Sequence, residues 1–202
     1  MTPEKLIIFV KAPRPGFVKT RLASAIGAAA AAQAYQQLVE RLLGRLASLA
    51  QVELRYSPDN ALREIQPWLR GSWEARAQTS GDLGQRLNSA FSDAFGAGAE
   101  RVAIIGSDCP DVAPADIQNA WTALLTHDVV LGPATDGGYW LIGLRQSQPF
   151  LFHDMVWSTA TVLAETVRRI QAAGLSAHLL RQLGDIDTEA DWLKFLQAGK
   201  AN

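Results

Sequence analysis

The sequence predicts an α/β protein of three layers, α/β/α, with a mostly parallel central sheet. Short apolar runs alternate with longer segments of helical spacing along the 202-residue chain, and this alternation is typical of parallel sheets joined by right-handed crossovers. Two runs, at 6–10 and 102–106, are apolar without a break, as expected of strands covered on both faces. Because 48% of the residues are hydrophobic and no repeat or linker is visible, we expect one domain, residues 1–202.

The expected strands are short apolar runs separated by turns or helical segments. In chain order they are KLIIFVK (5–11), VELRYS (52–57), RVAIIGS (101–107), DVVLGP (128–133), YWLIGL (139–144) and LSAHLL (175–180).

The expected helices show helical spacing of their apolar residues. The first of them is rich in Ala, Leu and Gln, Pro114 suits a first-turn position, and Gly174 suits a helix end. The helices are expected at 28–50, 84–97, 114–125, 159–174 and 188–198.

Charge is balanced overall but uneven along the chain. The net charge is −1, from 19 basic and 20 acidic residues, which argues against a nucleic-acid partner because such proteins carry a dominant basic face. Residues 1–21 carry five basic side chains and one acidic one, whereas 185–191 carry four acids and no base. A substrate with phosphate groups and a metal ion would use both signs.

The cysteine content and the hydropathy of the sequence indicate the cellular compartment in which the protein is expected. A single cysteine, Cys109, excludes an intramolecular disulfide and suits a reducing cytoplasm. The first apolar run is too short for a signal core or a membrane span. We therefore expect a cytoplasmic protein with no membrane partner.

The first loop, KAPRPGFVKTRL at 11–22, is kinked and positively charged. It follows the first strand, and ligands of parallel sheets bind at the carboxyl ends of strands. It is not a P-loop, because Pro13 and Val18 stand where that motif requires glycine. It either cradles a diphosphate through its backbone amides and cations or forms a solvated surface turn; the prolines favour the first reading, since a stiff loop loses less entropy on binding.

The motif SDCPD at 107–111 ends a buried strand. A carboxylate there, Asp108, is expected to hold Mg²⁺ or Mn²⁺ of a bound nucleotide, because such ions use oxygen ligands and few protein carboxylates. Asp111 is expected instead to cap the following helix or to form an Asx turn. Cys109 is expected to be a packed residue and not a nucleophile.

The segment GPATDGGYWLIGL at 132–144 joins two expected strands. Gly137 and Gly138 allow either a close approach to a ligand or an ordinary hairpin turn. Tyr139 and Trp140 could stack on a sugar or base, although at least one of them should serve the core. Further along, Trp157 is a candidate wall of the pocket, with Ser158 or Thr159 expected to cap the next helix.

Two further motifs are weaker. In LGDIDTEADW, Asp185 and Asp187 share one side of an extended segment and could bind a metal ion; alternatively Asp187 or Thr188 caps the last helix, with Asp191 completing a capping box. GDLGQRL at 81–87 is a glycine-flanked helix start whose amides could face a ligand. The three histidines share no metal-ligand spacing and are expected at the surface or at strand ends.

Taken in order, these motifs resemble the GT-A-type nucleotide-diphospho-sugar transferase superfamily. The resemblance is to its small bacterial members described as uncharacterised or arsenosugar-biosynthesis-type glycosyltransferases (DUF2064-like), and it covers nearly the whole chain. It depends on K-A-P-x-x-G-x-V-K-T-R-L, G-D-L-G-x-R-L, G-S-D-C-P, G-P-A-x-D-G-G-Y-x-L-I-G-L, W-S-T and D-I-D-T.

The resemblance implies a nucleotide held above the first and fourth strands, a small-molecule acceptor, and Mg²⁺ or Mn²⁺ bound by Asp108 and by Asp187, with Asp185 as the alternative to Asp187. Lys19, Asp108 and Asp136 are the expected catalytic residues, Asp136 as the group that orients or deprotonates the acceptor. Phosphate or nucleotide contacts are expected from Lys11, Ala12, Pro13, Arg14, Gly16, Lys19, Arg21, Gly81, Asp82 and Gly84. Substrate contacts are expected from Asp136, Gly137, Gly138, Tyr139 and Trp157.

The sequence departs from that of many glycosyltransferases at one point: it has Ser-Asp-Cys-Pro where they have Asp-x-Asp. We therefore expect a metal-dependent glycosyltransferase-like enzyme using a nucleotide-diphospho-sugar, and keep two alternatives. One is a nucleotidyltransferase that releases pyrophosphate, as the molybdenum-cofactor guanylyltransferases of this fold do; the other is a non-catalytic nucleotide-binding module. A homodimer is left open, with tryptophans that could lie in the core or at an interface: Trp68, Trp73 and Trp121.

Overall fold

Strands and helices alternate through residues 4–200, the part of the chain that the computed structural model describes. The strands are β1 (Glu4–Lys11), β2 (Val52–Ser57), β3 (Glu74–Ala77), β4 (Arg101–Ile105), β5 (Val129–Pro133), β6 (Tyr139–Leu144) and β7 (Ala177–Leu179). The helices are α1 (Thr20–Ile26), α2 (Ala28–Arg45), α3 (Leu62–Ile65), α4 (Leu83–Gly96), α5 (Pro114–Ala123), α6 (Val162–Ala172) and α7 (Glu189–Lys200). Two short 3₁₀ turns, Gln66–Trp68 and Pro149–Leu151, join them.

The strands form one seven-stranded sheet in the order β3-β2-β1-β4-β6-β5-β7. All neighbouring pairs are parallel except those of β6, which runs antiparallel to β4 and β5. The reason is the connection from β5 to β6, which is too short for a crossover helix and closes as a hairpin. The expected three-layer α/β architecture with a mostly parallel sheet is confirmed.

Both faces of the central strands are buried, as their unbroken apolar sequences predict. Leu6 and Ile8 of β1 pack in one cluster with α2 and α5. Ile7 packs on the opposite face with α4 and with residues at the second 3₁₀ turn. A third cluster joins Leu22 of α1 to Trp192 of α7. This last cluster matters for function because it fixes the C-terminal segment beside the first loop.

Three elements, α1, α3 and β3, have no counterpart in the sequence prediction; α3 spans only four residues, Leu62–Ile65. Helix α1 begins at Thr20, inside the segment expected to be a loop, because its prolines and Gly16 all precede the helix and leave the following residues free to coil. Strand β3, with the sequence EARA, lies at the sheet edge with half its side chains exposed and therefore carries no apolar run. The other elements match their expected positions, with ends that differ by a few residues.

The three tryptophans left open between core and interface, Trp68, Trp73 and Trp121, are all buried in the main core cluster. His127 lies between α5 and β5, and His178 lies on β7, with ring centroids 5.3 Å apart; His153 is exposed. None of the helices between residues 4 and 200 combines the length and apolar character needed to cross a bilayer.

Candidate functional site

A cavity of about 570 Å³ opens at the carboxyl ends of β1 and β4. We call it the carboxyl-end cavity. Its charged lining residues are Lys11, Lys19, Arg21, Arg86, Asp108 and Asp187. Its apolar lining includes Phe9, Leu83, Leu87, Ile104, Tyr139 and Ile142. A cavity with charged groups on one part of its wall and apolar groups on another suits a ligand with both a phosphate and a ring system.

Lys19 brings the basic loop and two acids of the cavity together. Its ammonium forms ion pairs with Asp108 and, at 3.0 Å, with Asp187, and only 3% of its side chain is exposed. Burial alone disfavours the ammonium form, but the neighbouring Asp108 and Asp187 outweigh it, so the pKa of Lys19 is raised. Lys19 is therefore a fixed positive charge at neutral pH.

Asp108 and Asp187 come from distant parts of the chain and are held together by the backbone. Asp108 follows β4, and the N–H of Ile186 donates to the Asp108 carbonyl at 3.1 Å. The Ile186 side chain is buried with Leu22 of α1. This tether places Asp187 where Arg21 also reaches it, at 3.6 Å.

Asp185 adds a further acid beside this pair. Burial, then the charges of Asp108, Asp136 and Asp187, raise the pKa of Asp185 to about 6, although the Cys109 thiol opposes the shift by donating to Asp185 at 2.5 Å. Burial and Asp185 also raise the pKa of Cys109, which keeps the thiol protonated. Cys109 is thus a packed residue, as expected, and the acids outnumber the nearby bases.

Tyr35 is a residue of the cavity that the sequence analysis missed. Its hydroxyl accepts a hydrogen bond from the N–H of Lys11 at 2.8 Å and shares another of 2.8 Å with the Ser107 hydroxyl. These bonds join the end of β1 to the end of β4. Burial, and then the charge of Asp108, raise the pKa of Tyr35, so it stays protonated. Nothing in the sequence around Tyr35 distinguishes it from a core aromatic residue of α2.

Arg14 does not face the carboxyl-end cavity, contrary to expectation. Its guanidinium binds both carboxylate oxygens of Glu64, at 2.5 and 3.1 Å, and the Asn60 side chain at 3.1 Å. A planar guanidinium prefers such two-point pairing with a carboxylate, and Glu64 lies fifty residues along the chain. Pro13 and Gly16 are also outside the cavity lining, and Ala12 is buried in the core.

The GDLGQRL motif forms the start of α4 but presents different residues from those expected. Asp82 caps the helix by accepting from the Gln85 N–H at 2.8 Å, and Gly84 lies so close to the Phe152 carbonyl that a Cβ would be 2.5 Å from its oxygen. The cavity is lined instead by residues that the motif places one turn apart: Leu83, Arg86 and Leu87. Gly81, Asp82 and Gly84 do not line the cavity, and their contacts with a ligand stay a prediction.

The Asp136-Gly137-Gly138 segment is the hairpin turn between β5 and β6. Gly138 donates its N–H to Asp136 at 2.9 Å, and Gly137, at φ +89°, has the Ala160 carbonyl oxygen 2.2 Å from where a Cβ would be. A side chain at Gly137 would therefore collide with the backbone of Ala160. None of the three residues lines the cavity, although the charge of Asp136 reaches Asp185.

Tyr139 and Trp140 both line the carboxyl-end cavity, whereas Trp157 does not. The Trp157 indole packs behind α4, where a Cβ on Gly84 would lie 3.1 Å from it. Its neighbour Ser158, at φ +61°, lines the cavity instead.

Two of the expected helix caps are wrong and one is confirmed. Asp111 does not cap α5; the Ala113 N–H donates at 2.8 Å to Asp116, a residue inside the helix. Helix α6 begins after Thr161 without a side-chain cap, so neither Ser158 nor Thr159 caps it. At α7, Thr188 and Asp191 form the expected reciprocal cap. Asp187 is thereby left to face Lys19.

The two acids on Lys19 fit a divalent cation that is completed by a ligand. Among residues 4–200, no group of three or more histidine, cysteine or carboxylate side chains is arranged to hold a metal ion. Asp108 and Asp187 nevertheless both reach one ammonium group. Mg²⁺ bound with a nucleotide commonly has one or two protein carboxylates and takes its other ligands from phosphate and water.

Comparison with known proteins gives the chain a family. The family described as "Uncharacterized protein conserved in bacteria (DUF2064)" matches residues 38–159. The chain belongs to this family. Comparison with curated proteins gives no match.

Solved structures share its fold. A protein from Desulfovibrio desulfuricans, described as a proposed nucleotide-diphospho-sugar transferase, is 35% identical over 99% of this chain and 89% of its own, with a TM-score of 0.92. The 4-diphosphocytidyl-2C-methyl-D-erythritol synthase of Anaerococcus prevotii is 11% identical over 96% and 99%, with a TM-score of 0.62. Rv0371c of Mycobacterium tuberculosis, in a complex with manganese, is 14% identical over 96% and 98%, with a TM-score of 0.56. The fold is thus that of the nucleotide-diphospho-sugar transferases.

Proposed function

We propose that this DUF2064 protein is a metal-dependent transferase that uses a nucleotide-diphospho-sugar donor. The observation that carries the proposal is the convergence of Lys19, Asp108 and Asp187 at one point of the carboxyl-end cavity. A diphosphate with its metal ion needs cations and carboxylates within a few ångströms of each other. The description of the 35% identical Desulfovibrio protein supports the same class of substrate.

The basic residues of the cavity would hold the diphosphate. Lys19, Arg21 and Lys11 line the cavity from the first loop and the start of α1. Ammonium and guanidinium groups form charge-assisted hydrogen bonds with phosphate oxygens. Because negative charge grows on a departing diphosphate, cations fixed there stabilise the transition state more than the bound donor.

Asp108 and Asp187 would hold Mg²⁺ or Mn²⁺ together with the diphosphate. Such an ion, when bound, neutralises charge on the leaving group. The acid excess around Lys19, to which Asp185 and Asp136 contribute, favours a cation of higher charge at this position.

The apolar part of the cavity would receive the nucleoside or the sugar. Tyr139 and Trp140 offer aromatic surface there, and Leu83 and Leu87 present aliphatic surface from α4. Arg86 lies on the same helix and donates to the Gly81 carbonyl at 3.0 Å, with further N–H groups left for a ligand.

Nucleotidyl transfer is the second candidate, and the position of Asp187 favours it. The family resemblance predicted a second acid near the C-terminus for nucleotidyltransferases of this fold, and Asp187 lies beside Asp108 on the same lysine. Both reactions need the same cations and metal ion, but their products differ. Glycosyl transfer releases a nucleoside diphosphate or monophosphate, whereas nucleotidyl transfer releases pyrophosphate.

Product analysis tests the proposal and separates the two reactions. The protein with Mn²⁺ is incubated with a panel of nucleotide sugars and acceptors, and in parallel with nucleoside triphosphates and sugar phosphates. The proposal predicts release of nucleoside diphosphate from the first panel, dependent on metal and reduced about 10²- to 10³-fold by Asp108→Asn. Pyrophosphate release from the second panel alone would replace it with nucleotidyl transfer. Metal-dependent binding without turnover in either panel would leave a non-catalytic nucleotide-binding module.

A further inference from the structure

Lys19 has an unusual position for a residue proposed to bind phosphate. Its ammonium is turned away from solvent, with 3% of the side chain exposed, and both of its ion-pair partners are the acids that would hold the metal ion. The ammonium thus lies where the two carboxylates would share a divalent cation. Two cations cannot occupy this position together, because their repulsion at such short range is strong.

The backbone holds Lys19 in this inward position. Lys19 precedes α1 in the left-handed region, at φ 47° and ψ 47°, and its carbonyl accepts the first hydrogen bond of the helix from the Ala23 N–H at 2.8 Å. A residue with a Cβ adopts this conformation at a cost that its surroundings must offset, and such residues concentrate at ligand sites and switches. The ion pairs of Lys19 with Asp108 and Asp187 offset this cost.

We propose that Lys19 is a resident counter-ion of Asp108 and Asp187, which a divalent metal ion displaces and which then pairs with the phosphate groups of the incoming nucleotide. This inference rests on the proposed function. It has a consequence for binding. A metal ion that binds alone must displace the Lys19 ammonium, which then has no anionic partner. When a nucleotide binds as well, its phosphate groups become the new partner of the ammonium. Metal ion and nucleotide therefore bind with positive coupling, and each raises the affinity of the other.

Arg21 supplies a matched comparison. It also approaches Asp187, at 3.6 Å, but 70% of its side chain is exposed and it does not reach Asp108. Removing either positive charge makes the potential at the acids more negative. Only removal of Lys19 also vacates the position between them.

The experiment measures Mn²⁺ binding to the whole protein by electron paramagnetic resonance, without nucleotide and with UDP or GDP. Lys19→Met keeps the length of the side chain and removes its charge. We expect the variant to bind Mn²⁺ alone about tenfold more tightly than the wild type, and Arg21→Met to gain clearly less. With nucleotide present, the gain of Lys19→Met should vanish or reverse, because the phosphates have lost a cation.

Unchanged or weaker Mn²⁺ binding by Lys19→Met would overturn the proposal, as would an equal gain in Arg21→Met. A second measurement needs no variant. Acetylation of Lys19 in the wild type, followed by mass spectrometry, should be slow without ligand, faster with saturating Mg²⁺ alone, and slow again with Mg²⁺ and nucleotide. A rate that Mg²⁺ alone leaves unchanged contradicts displacement even if Lys19→Met does not fold.

The outcomes also separate this inference from the proposed function. Metal-dependent transfer together with unchanged metal affinity in Lys19→Met leaves the transferase and rejects the displacement. Tighter Mn²⁺ binding in Lys19→Met, together with no turnover by the wild type in either substrate panel, retains the displacement and rejects the transferase.

Discussion

A cavity lies at each end of strand β1, and the two differ in how their charges are paired. The second, the amino-end cavity, has a volume of about 590 Å³, close to the 570 Å³ of the carboxyl-end cavity. Around it, three basic and three acidic side chains form a chain of ion pairs: Lys5, Arg55, Arg76, Glu53, Glu74 and Asp93. Every charge in that group has a partner of the opposite sign.

The carboxyl-end cavity is different because its charges are not balanced: four basic and two acidic residues line it, and the acids gather around Lys19. Asp108, Asp187 and Asp185 share the region with Lys19 and Arg21, and the pKa of Asp185 is raised to about 6 in consequence of burial and these acids. Two non-glycine residues with positive φ, Lys19 and Ser158, also line it, and none lines the amino-end cavity. Size does not distinguish the two cavities. Unbalanced charge and backbone strain do, and both point to a ligand at the carboxyl end.

The largest effect is expected from Asp108→Asn, which keeps the shape of the side chain and removes its charge. Turnover should fall by about 10²- to 10³-fold, because a charged contact to the reacting groups is lost. Steady-state kinetics with Mn²⁺ measure the loss, and the melting temperature checks the fold. Turnover near that of the wild type would mean that the charges of the carboxyl-end cavity do not distinguish it functionally from the amino-end cavity.

Arg55→Met should lower the stability of the protein and leave its turnover unchanged, the opposite of what is expected for Asp108→Asn. Arg55 is buried, with only 2% of its side chain exposed, and pairs with Glu53 and Asp93. Removing it leaves Glu53 with Lys5 alone, so the free energy of unfolding should fall by about 2–3 kcal/mol. Urea denaturation gives this value. Turnover of the folded variant should be unchanged, and a selective loss of activity would give the amino-end cavity a functional role.

The two arginines of the first loop form a matched pair. Arg21→Gln should raise KM for the nucleotide about tenfold, because one cation is lost from the phosphate site. Arg14→Gln should leave KM unchanged, since Arg14 is bound to Glu64 and does not line the cavity. If Arg14→Gln instead raised KM as much as Arg21→Gln, Arg14 would have to leave Glu64 when substrate binds.

The smallest effect is expected at Asp116, a paired acid that lines neither of the two cavities. Burial opposes its ionisation, but hydrogen bonds from Arg181 and the Ala113 N–H outweigh burial and lower the pKa of Asp116 below its usual range. Its contribution is therefore complete above the unfolded pKa near 4 and is lost as the pH falls below that value.

Arg181→Met tests this pairing. Because Arg181 is half-exposed, solvent screening limits the expected loss to about 1 kcal/mol at pH 7. Melting temperatures of variant and wild type should converge as the pH falls from 5 to 3. A gap that stays constant over this range would mean that the charge of Asp116 is not what Arg181 stabilises.

The sequence predicted the site best where one local rule decides the geometry. Asp108 follows an unbroken apolar strand, and the rule that ligands bind at carboxyl ends places it at the correct edge. Lys19 lies in the loop after β1 and reaches the same edge. The meeting of these two residues needed no knowledge of side-chain contacts.

The sequence could not reveal the contacts of a residue where a partner distant in the chain decides them. Arg14 looks like its basic neighbours until Glu64 is brought beside it by the fold. Gly84 and Gly137 look like ligand-binding glycines, yet Phe152 and Ala160 occupy the space beside them. Tyr35 joins Lys11 to Ser107 through tertiary contacts alone. Patterns within one segment carry no information about such partners.

Titration calorimetry tests most directly whether the basic loop and Asp108 share one metal–diphosphate ligand. UDP and GDP are titrated into the wild type and into Asp108→Asn, each with Mn²⁺ and with EDTA. We expect at least one nucleotide to bind the wild type tightly with Mn²⁺, much more weakly with EDTA, and to lose this difference in Asp108→Asn. Binding with equal affinity under all these conditions, or no binding of either nucleotide, would contradict the account.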